Sequence, residues 1–394
     1  MRSGAATGRV EALLAERTEA NHRFFAAEAD RIARLCHRMA ERFARGGRLV
    51  ALGASPAARS DARHVAVEFV HPVIVGKRAL PAVGLAGEGG PLAAQVALLV
   101  SPEDIVLAFE ADEEARAALA AASERGCLAV CLPLEWAPPT TDPFIRQELT
   151  ETLYHLLWEL VHVFFEHRGL LEGREARKVH DAGASSFLYP FLGEQETDLE
   201  AVIADVAASV TMKADEIGAL REQTLLEGRE VLHAAAAELR ARLDAGGTLL
   251  ALGNGGSATD AMDVVADFRA PPREAWPPRR ALDLTEDPAI ITALANDIGT
   301  DAIFSRQVIA YGGPGDALIA LSTSGNSASV IAALIEARRR GLATIAMVGY
   351  GGGKVAADGL ADHVIVSRSE HIPRIQEAQA SAYHVLRELV ESGR

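Results

Sequence analysis

The stretch Gly253-Asn-Gly-Gly-Ser257-Ala-Thr-Asp260-Ala-Met-Asp263 decides how this sequence folds. It follows the apolar run Thr248-Leu-Leu-Ala-Leu252 and precedes a helical pattern that continues through Phe268. Strand, glycine-rich turn and helix start, in that order, aim backbone N–H groups and a helix N-terminus at one point, where an anion is held. A second stretch has the same layout. The apolar run Ala317–Leu321 ends in Ser322-Thr-Ser-Gly-Asn-Ser327 and opens a helical segment, Ser329–Arg339. Two such turns, rich in small hydroxyl residues, predict a phosphorylated ligand.

Outward from this stretch the sequence repeats itself. Gly46-Gly47, Leu49-Val-Ala-Leu52 and Gly53 match Gly246-Gly247, Leu249-Leu-Ala-Leu252 and Gly253. The match continues from Asp104-Ile-Val-Leu-Ala-Phe109 to Asp316-Ala-Leu-Ile-Ala-Leu321, and from Gln147-Glu148 and Tyr154-His155 to Gln376-Glu377 and Tyr383-His384. A repeat about half the chain long implies two tandem domains, and their alternating apolar runs and helical patterns imply parallel sheets flanked by helices. The expected boundaries are 1–170 and 196–394, with the Gly-, Arg- and charge-rich residues 171–195 as a linker. Ligands are expected at the carboxyl ends of the strands.

The chain has 394 residues, 49% of them hydrophobic, and a net charge of −15. That charge argues against nucleic acid or an anionic membrane as partner. Charged residues or glycine interrupt every apolar run, so no membrane span is expected. Cys36, Cys127 and Cys131 have no metal-site spacing and read as reduced thiols. A cytoplasmic protein with no nucleotide cofactor is the expectation.

GNGGSATDAMD, ALANDIGTDAIFSRQV at Ala293–Val308, STSGNS at Ser322–Ser327 and RIQEAQASAYH at Arg374–His384 closely resemble the phosphoheptose isomerases of the sugar isomerase (SIS) superfamily. The resemblance covers roughly residues 200–394. It implies an α/β fold of two tandem SIS domains, each a three-layer, flavodoxin- or Rossmann-like parallel sheet with helices on both faces, the first domain divergent. It also implies an aldose–ketose isomerase that shifts the carbonyl of sedoheptulose 7-phosphate towards a manno-heptose 7-phosphate through an enediol.

Carried over residue by residue, the resemblance assigns sugar-phosphate binding to Asn254, Gly255, Ser257, Ser322, Thr323, Ser324, Ser327 and Gln376, with Asp287, Asn296 and Asp297 near the sugar. The family's helical His and Glu are Asp263 and Asp267 here. As an i, i+4 pair they share one helix face, either as base and metal ligands or as a solvated surface. The first half keeps His64, Glu68, Gln147 and His155, the positions at which some family members hold zinc, but not the phosphate turns. Pro56 removes a donor, and Glu110-Ala-Asp112-Glu113-Glu114 sets four carboxylates where a phosphate would be repelled. The catalytic candidates are therefore Glu68 or Asp267 as base and His155 or His384 as proton carrier, with a site divided between the halves. The alternative for the first-half set is a remnant packed at a domain interface. A homodimer would rebuild the family's four-domain assembly, with the helices at 149–165 and 380–392 as interface candidates. The competing function is a non-catalytic sugar-phosphate sensor or assembly factor.

Overall fold

A computed structural model describes residues 3–73, 77–86, 89–132, 136, 138–166 and 198–392. The expected linker, residues 171–195, lies outside the described residues. Helix α1 (Ser3–Ala44) leads into β1 (Leu49–Leu52), α2 (Pro56–Val70), β2 (Ala82–Leu85), α3 (Leu92–Leu99), β3 (Ile105–Ala108), α4 (Glu113–Glu124), β4 (Leu128–Cys131) and the long α5 (Pro143–Glu166). The later described residues form α6 (Leu199–Glu227), α7 (Arg229–Asp244), β5 (Leu249–Leu252), α8 (Gly256–Arg269), β6 (Ala281–Asp283), α9 (Pro288–Asp297), α10 (Ser305–Tyr311), β7 (Ala317–Ser322), α11 (Ala328–Arg339), β8 (Ala343–Gly349), α12 (Gly353–Ala357), β9 (His363–Ser367) and α13 (Ile372–Glu391).

Contacts gather the chain into two compact units. The first holds residues 1–19, 142–148 and 216–394; the second holds residues 20–141 and 149–215. Helices α1, α5 and α6 thus each supply part of their length to both.

The first unit contains a five-stranded sheet in the order β6-β5-β7-β8-β9, all pairs parallel. Its strands alternate between two apolar faces. Leu249, Ala251, Ile319, Leu321, Ile345 and Met347 pack with α7, α8 and α13 and with Val10, Leu13 and Leu14 of α1. Leu250, Leu252, Leu318, Ala320, Ala346 and Val348 pack with Phe304, Val308, Val330 and Leu334. A central strand that is apolar on both faces forces helices onto both, which gives the three layers. The second unit contains a four-stranded parallel sheet in the order β2-β1-β3-β4. Val50, Leu52, Val106 and Ala108 pack with Leu92, Val96, Ala115, Ala118 and Ala122, while Leu49, Ala51, Ile105 and Leu107 are fully buried on the alternate positions.

Both orders reverse direction beside the first strand of each sheet, so the turns after β5 and β7, and those after β1 and β3, flank the crevice where such sheets take ligands. The two units also share a clamp at the opposite strand ends. Asp104 accepts hydrogen bonds from Arg48 N at 2.9 Å and Ser101 N at 2.8 Å. Asp316 accepts from Thr248 N at 2.7 Å and Gly313 N at 2.9 Å. Of the two helices offered from sequence as interface candidates, α13 is buried along nearly its whole length and α5 is buried from Leu149 to Val161 apart from Thr150.

Replacing Asp104 or Asp316 by Ala leaves two strand-end amides without their acceptor. Each variant is expected to lose about 1–3 kcal/mol of stability, read as a lower urea midpoint at unchanged slope.

Candidate active site

The first unit builds its anion cradle from two turns. After β5 the chain turns so tightly that a Cβ on Gly253 would lie 2.1 Å from Ser257 O, and Gly255 takes φ +59°. Ser257 follows in the first turn of α8, buried, while Asn254 is exposed. Asn254 Nδ2 donates to Ser327 Oγ at 2.8 Å and to Ser329 Oγ at 3.0 Å, which ties this turn to the one after β7. There Ser322 Oγ accepts from Gly325 N and Ser324 Oγ from Asn326 N, both at 3.1 Å. Gly325 sits at φ +62°, and a Cβ on it would meet Gly352 O at 2.3 Å. The glycine cluster 349–353 is the packing partner of the serine turn. Lys354 N donates to Asn326 Oδ1 at 3.0 Å.

Further along α8 lies a buried ionic cluster. Asp263 and Asp267 are 6% and 7% exposed, so the solvated-face reading is corrected. Burial, then the charges of Asp263 and Glu148, push the Asp267 carboxyl well above the usual carboxylate range. His384 Nε2 lies 3.6 Å from Asp267 Oδ2, and His384 Nδ1 donates to Glu148 Oε1 at 2.9 Å. Phe144 stacks on the imidazole with centroids 4.5 Å apart. Burial lowers the His384 pKa, with Glu148 opposing. Glu148 also accepts from Arg17 Nε at 3.0 Å and Ser381 Oγ at 2.6 Å. Burial raises its pKa, but the Arg17 charge and the His384 hydrogen bond outweigh that and hold it at about 2. An ionised Glu148 accepts only, so it fixes the proton of His384 on Nδ1 and leaves Nε2 as the free lone pair facing Asp267. Tyr383 Oη donates to Asp263 Oδ2 at 3.4 Å.

Other expected sugar contacts serve the chain itself. Asp287 caps α9, accepting from Ala289 N at 2.8 Å and Ile290 N at 3.1 Å. Asn296 Nδ2 donates to Asp297 Oδ1 at 2.7 Å at the exposed end of that helix. Gln376 is buried on α13.

In the second unit His64 and Glu68 share a face of α2, both buried. His64 Nδ1 is 2.9 Å from Tyr154 Oη, and its Nε2 is 3.3 Å from His155 Nε2 and 3.9 Å from Glu68 Oε1. Burial, then the neighbouring His155, keeps His64 well below the usual imidazole pKa. The tight group of donor atoms, all within 4.8 Å of one another, is His64, Glu151 and His155. Glu151, one turn before His155, joins the expected His64 and His155, and Glu68 stands beside them. An imidazole pair with one carboxylate is a chemically suitable zinc donor set.

The four carboxylates of the 110–114 turn do not stand against an empty cradle, as the repulsion argument supposes. Glu110 accepts from Ala54 N and, at 2.9 Å, from Ser55 N. Asp112 caps α4 through Ala115 N at 2.7 Å, and Glu114 accepts from Leu92 N at 2.6 Å at the start of α3. Three of the four are anions seated at helix N-termini.

A family model described as the SIS domain matches residues 214–349. The chain is 44% identical over 157 residues to a phosphoheptose isomerase of Rhodospirillum rubrum, a match covering 40% of this chain and 82% of that one. The chain belongs to the phosphoheptose isomerase family. A second relative, the phosphoheptose isomerase of Nitratidesulfovibrio vulgaris, is 37% identical over 190 residues, 48% of this chain and 90% of that one. A solved structure, the C-terminal domain of glucosamine-fructose-6-phosphate aminotransferase from Francisella tularensis, matches 96% of this chain and 93% of its own at TM-score 0.60 and 10% identity. At that identity the likeness shows the fold alone, two SIS-like domains in one chain.

Within this family frame, the residues that sequence reasoning missed are Glu148, Arg17 and Glu151. Glu148 stood beside the aligned Gln147, and Glu151 lies four residues before His155, so both carried a spacing signal. Arg17 carried none.

Glu148→Gln is expected to lower stability at pH 7, because Arg17 keeps only Glu388 as a buried ion-pair partner and His384 loses a charged acceptor. Glu148 has a lowered folded-state pKa, so its stabilisation is complete above its unfolded pKa and is lost as pH falls towards 2. The gap between variant and parent in urea midpoint should narrow in acid. Asp267 has the opposite sign. Its raised folded-state pKa favours the native state at low pH, and that advantage is lost as pH rises through it. Asp267→Asn should therefore gain stability relative to wild type on going from pH 5 to pH 9.

Proposed function

We propose that this chain is a sugar-phosphate aldose–ketose isomerase whose substrate is sedoheptulose 7-phosphate, with product a manno-heptose 7-phosphate. The observation that carries the reading is the pairing, within one unit, of a serine-lined anion cradle with a buried Asp267–His384–Glu148 cluster. Cradle and acid share α8. Asp263 and Asp267 follow Ser257 by six and ten residues, about 9 and 15 Å along the axis. A phosphate in the cradle leaves only the far end of a long sugar chain within reach of them, which supports a heptose over shorter sugars.

The chemistry follows from the two side chains. Asp267, ionised, takes the proton from the carbon beside the carbonyl. A raised carboxylate pKa gives a base poised nearer neutrality. His384, its Nδ1 anchored by Glu148, moves protons between the two sugar oxygens through Nε2. His384 Nε2 takes the proton of the neighbouring hydroxyl and passes it to the former carbonyl oxygen, so the intermediate is an enediolate whose charge moves from one oxygen to the other. Asp267 then returns its proton to the former carbonyl carbon, and the oxygen that lost its proton becomes the new carbonyl. Ser257 and Ser322–Ser327 hold the phosphate by hydroxyl and backbone donors without a fixed cation. Asn254 and Asn326 brace the turns that carry them.

Zinc belongs to the same proposal. His64, His155 and Glu151 would hold it, and a bound ion would supply a Lewis acid that polarises oxygen. The proposal also includes a cytoplasmic homodimer with four SIS domains. No helix among the described residues is long and apolar enough to cross a membrane. The substitution of Asp263 and Asp267 for the family's His and Glu favours a second reading, a non-catalytic sugar-phosphate sensor.

Turnover of sedoheptulose 7-phosphate separates the two. The wild type is expected to isomerise it. Asp267→Asn is expected to lower kcat by 100-fold or more, on the order of 3 kcal/mol of transition-state stabilisation, and Ser324→Ala to act mainly on KM. Thermal stabilisation by the sugar phosphate without turnover would establish the sensor instead.

A further inference from the structure

The second unit carries the same turn as the phosphate cradle but treats it differently. After β1 a Cβ on Gly53 would lie 2.0 Å from Ala58 O, as one on Gly253 after β5 would lie 2.1 Å from Ser257 O. Both turns therefore fold back over the start of the next helix, the second unit's reaching one residue further, with Ser55 at φ −64° where Gly255 takes φ +59°. The neighbouring strand is also equivalent, with Leu49 paired to Ile105 and Leu249 to Ala317. The turn after β3 thus faces the turn after β1 just as the serine turn after β7 faces the one after β5.

What joins each pair of turns differs in charge. In the first unit the bridge is neutral, Asn254 to Ser327 and Ser329. In the second it is an anion. Glu110 Oε1 accepts from Ala54 N and Oε2 from Ser55 N at 2.9 Å, so both carboxylate oxygens are held by consecutive backbone donors just ahead of α2. Pro56, next in the chain, has no N–H to offer. The neighbouring helix starts are also served, Ala115 N by Asp112 and Leu92 N by Glu114.

We propose that Glu110 is the chain's own stand-in for a phosphate: its carboxylate fills the anion cradle of the second unit, excludes sugar phosphate from it, and on removal uncovers a second site for inorganic phosphate. A tethered carboxylate competes at an effective concentration of millimolar or more, and its negative charge repels a free dianion at close range. The chain accordingly takes one phosphate rather than two. The inference rests on reading the Ser257 and Ser322–Ser327 turns as a phosphate cradle.

Calorimetric titration of the full chain with inorganic phosphate, at constant ionic strength against chloride, tests it. Wild type is expected to bind one equivalent per chain and Glu110→Ala two. In a Ser322→Ala, Ser324→Ala background the counts become none and one. Glu110→Gln, which keeps the shape and loses the charge, should also gain an equivalent. Phosphate should raise the Tm of Glu110→Ala more than that of wild type, and should restore folding if that variant is unfolded without it. A folded Glu110→Ala that gains no equivalent in either background overturns the inference, and so does an unfolded one that phosphate does not rescue. No binding by wild type alongside one equivalent in Glu110→Ala would sustain the inference and sink the reading of the first cradle.

Discussion

Backbone amides left bare where a buried strand turns into a helix must meet an acceptor, and in the second unit the Glu110 carboxylate meets two of them. Each parallel sheet ends its central strand in a glycine turn whose N–H groups converge with the helix N-terminus. The main chain meets part of that need, since Ser257 N donates to Asn254 O and Ala258 N to Gly255 O in the first unit. Either a ligand arrives or a side chain is placed there. The two units solve the same problem in the two available ways, with serine hydroxyls and asparagine bridges around an open cradle in one and the Glu110 carboxylate in the other.

The second constraint is electrostatic. Asp263, Asp267, Glu148 and His384 are buried together with Arg17, Arg221 and Arg387. Arg17 settles which group ionises: paired to it, Glu148 stays charged. Asp267 lies beside that fixed negative charge and beside Asp263, and its own proton becomes hard to remove. A carboxylate held permanently ionised and one held near protonation, linked through an imidazole, constitute an acid–base pair set by environment rather than by residue type.

The turns and sheets were legible in the sequence because glycine, serine and alternating apolar residues encode backbone geometry locally. Gly53 and Gly253 are glycine because a Cβ has no space, and that requirement is visible without any structure. The ionic cluster was legible only in part. Asp267 and His384 could be placed by spacing, but whether Asp267 is solvated or buried depends on Arg17 and Glu148, which arrive from segments far away in the chain. The metal-ligand group shows the same limit. His64 and His155 were found by their match to the family, whereas the approach of Glu151 to them depends on which face of α5 turns towards α2. Acidic residues of the 110–114 turn were visible as charges, and only their geometry reveals them as acceptors.

The layout of α1, α5 and α6 has a consequence for how this chain acquires its structure. The core of the unit that carries the serine turns includes Val10, Leu13 and Leu14, and its ionic cluster includes Arg17 and Glu148. Those residues leave the ribosome long before Leu249 or His384. The early part of α1 must therefore wait, with an apolar face unpaired, until nearly the whole chain has been made. Sequence separations of this size slow the final step of folding and lengthen the interval in which that face can be captured by a neighbouring chain or a chaperone. The unit that carries the serine turns thus completes its core only once α13 is in place.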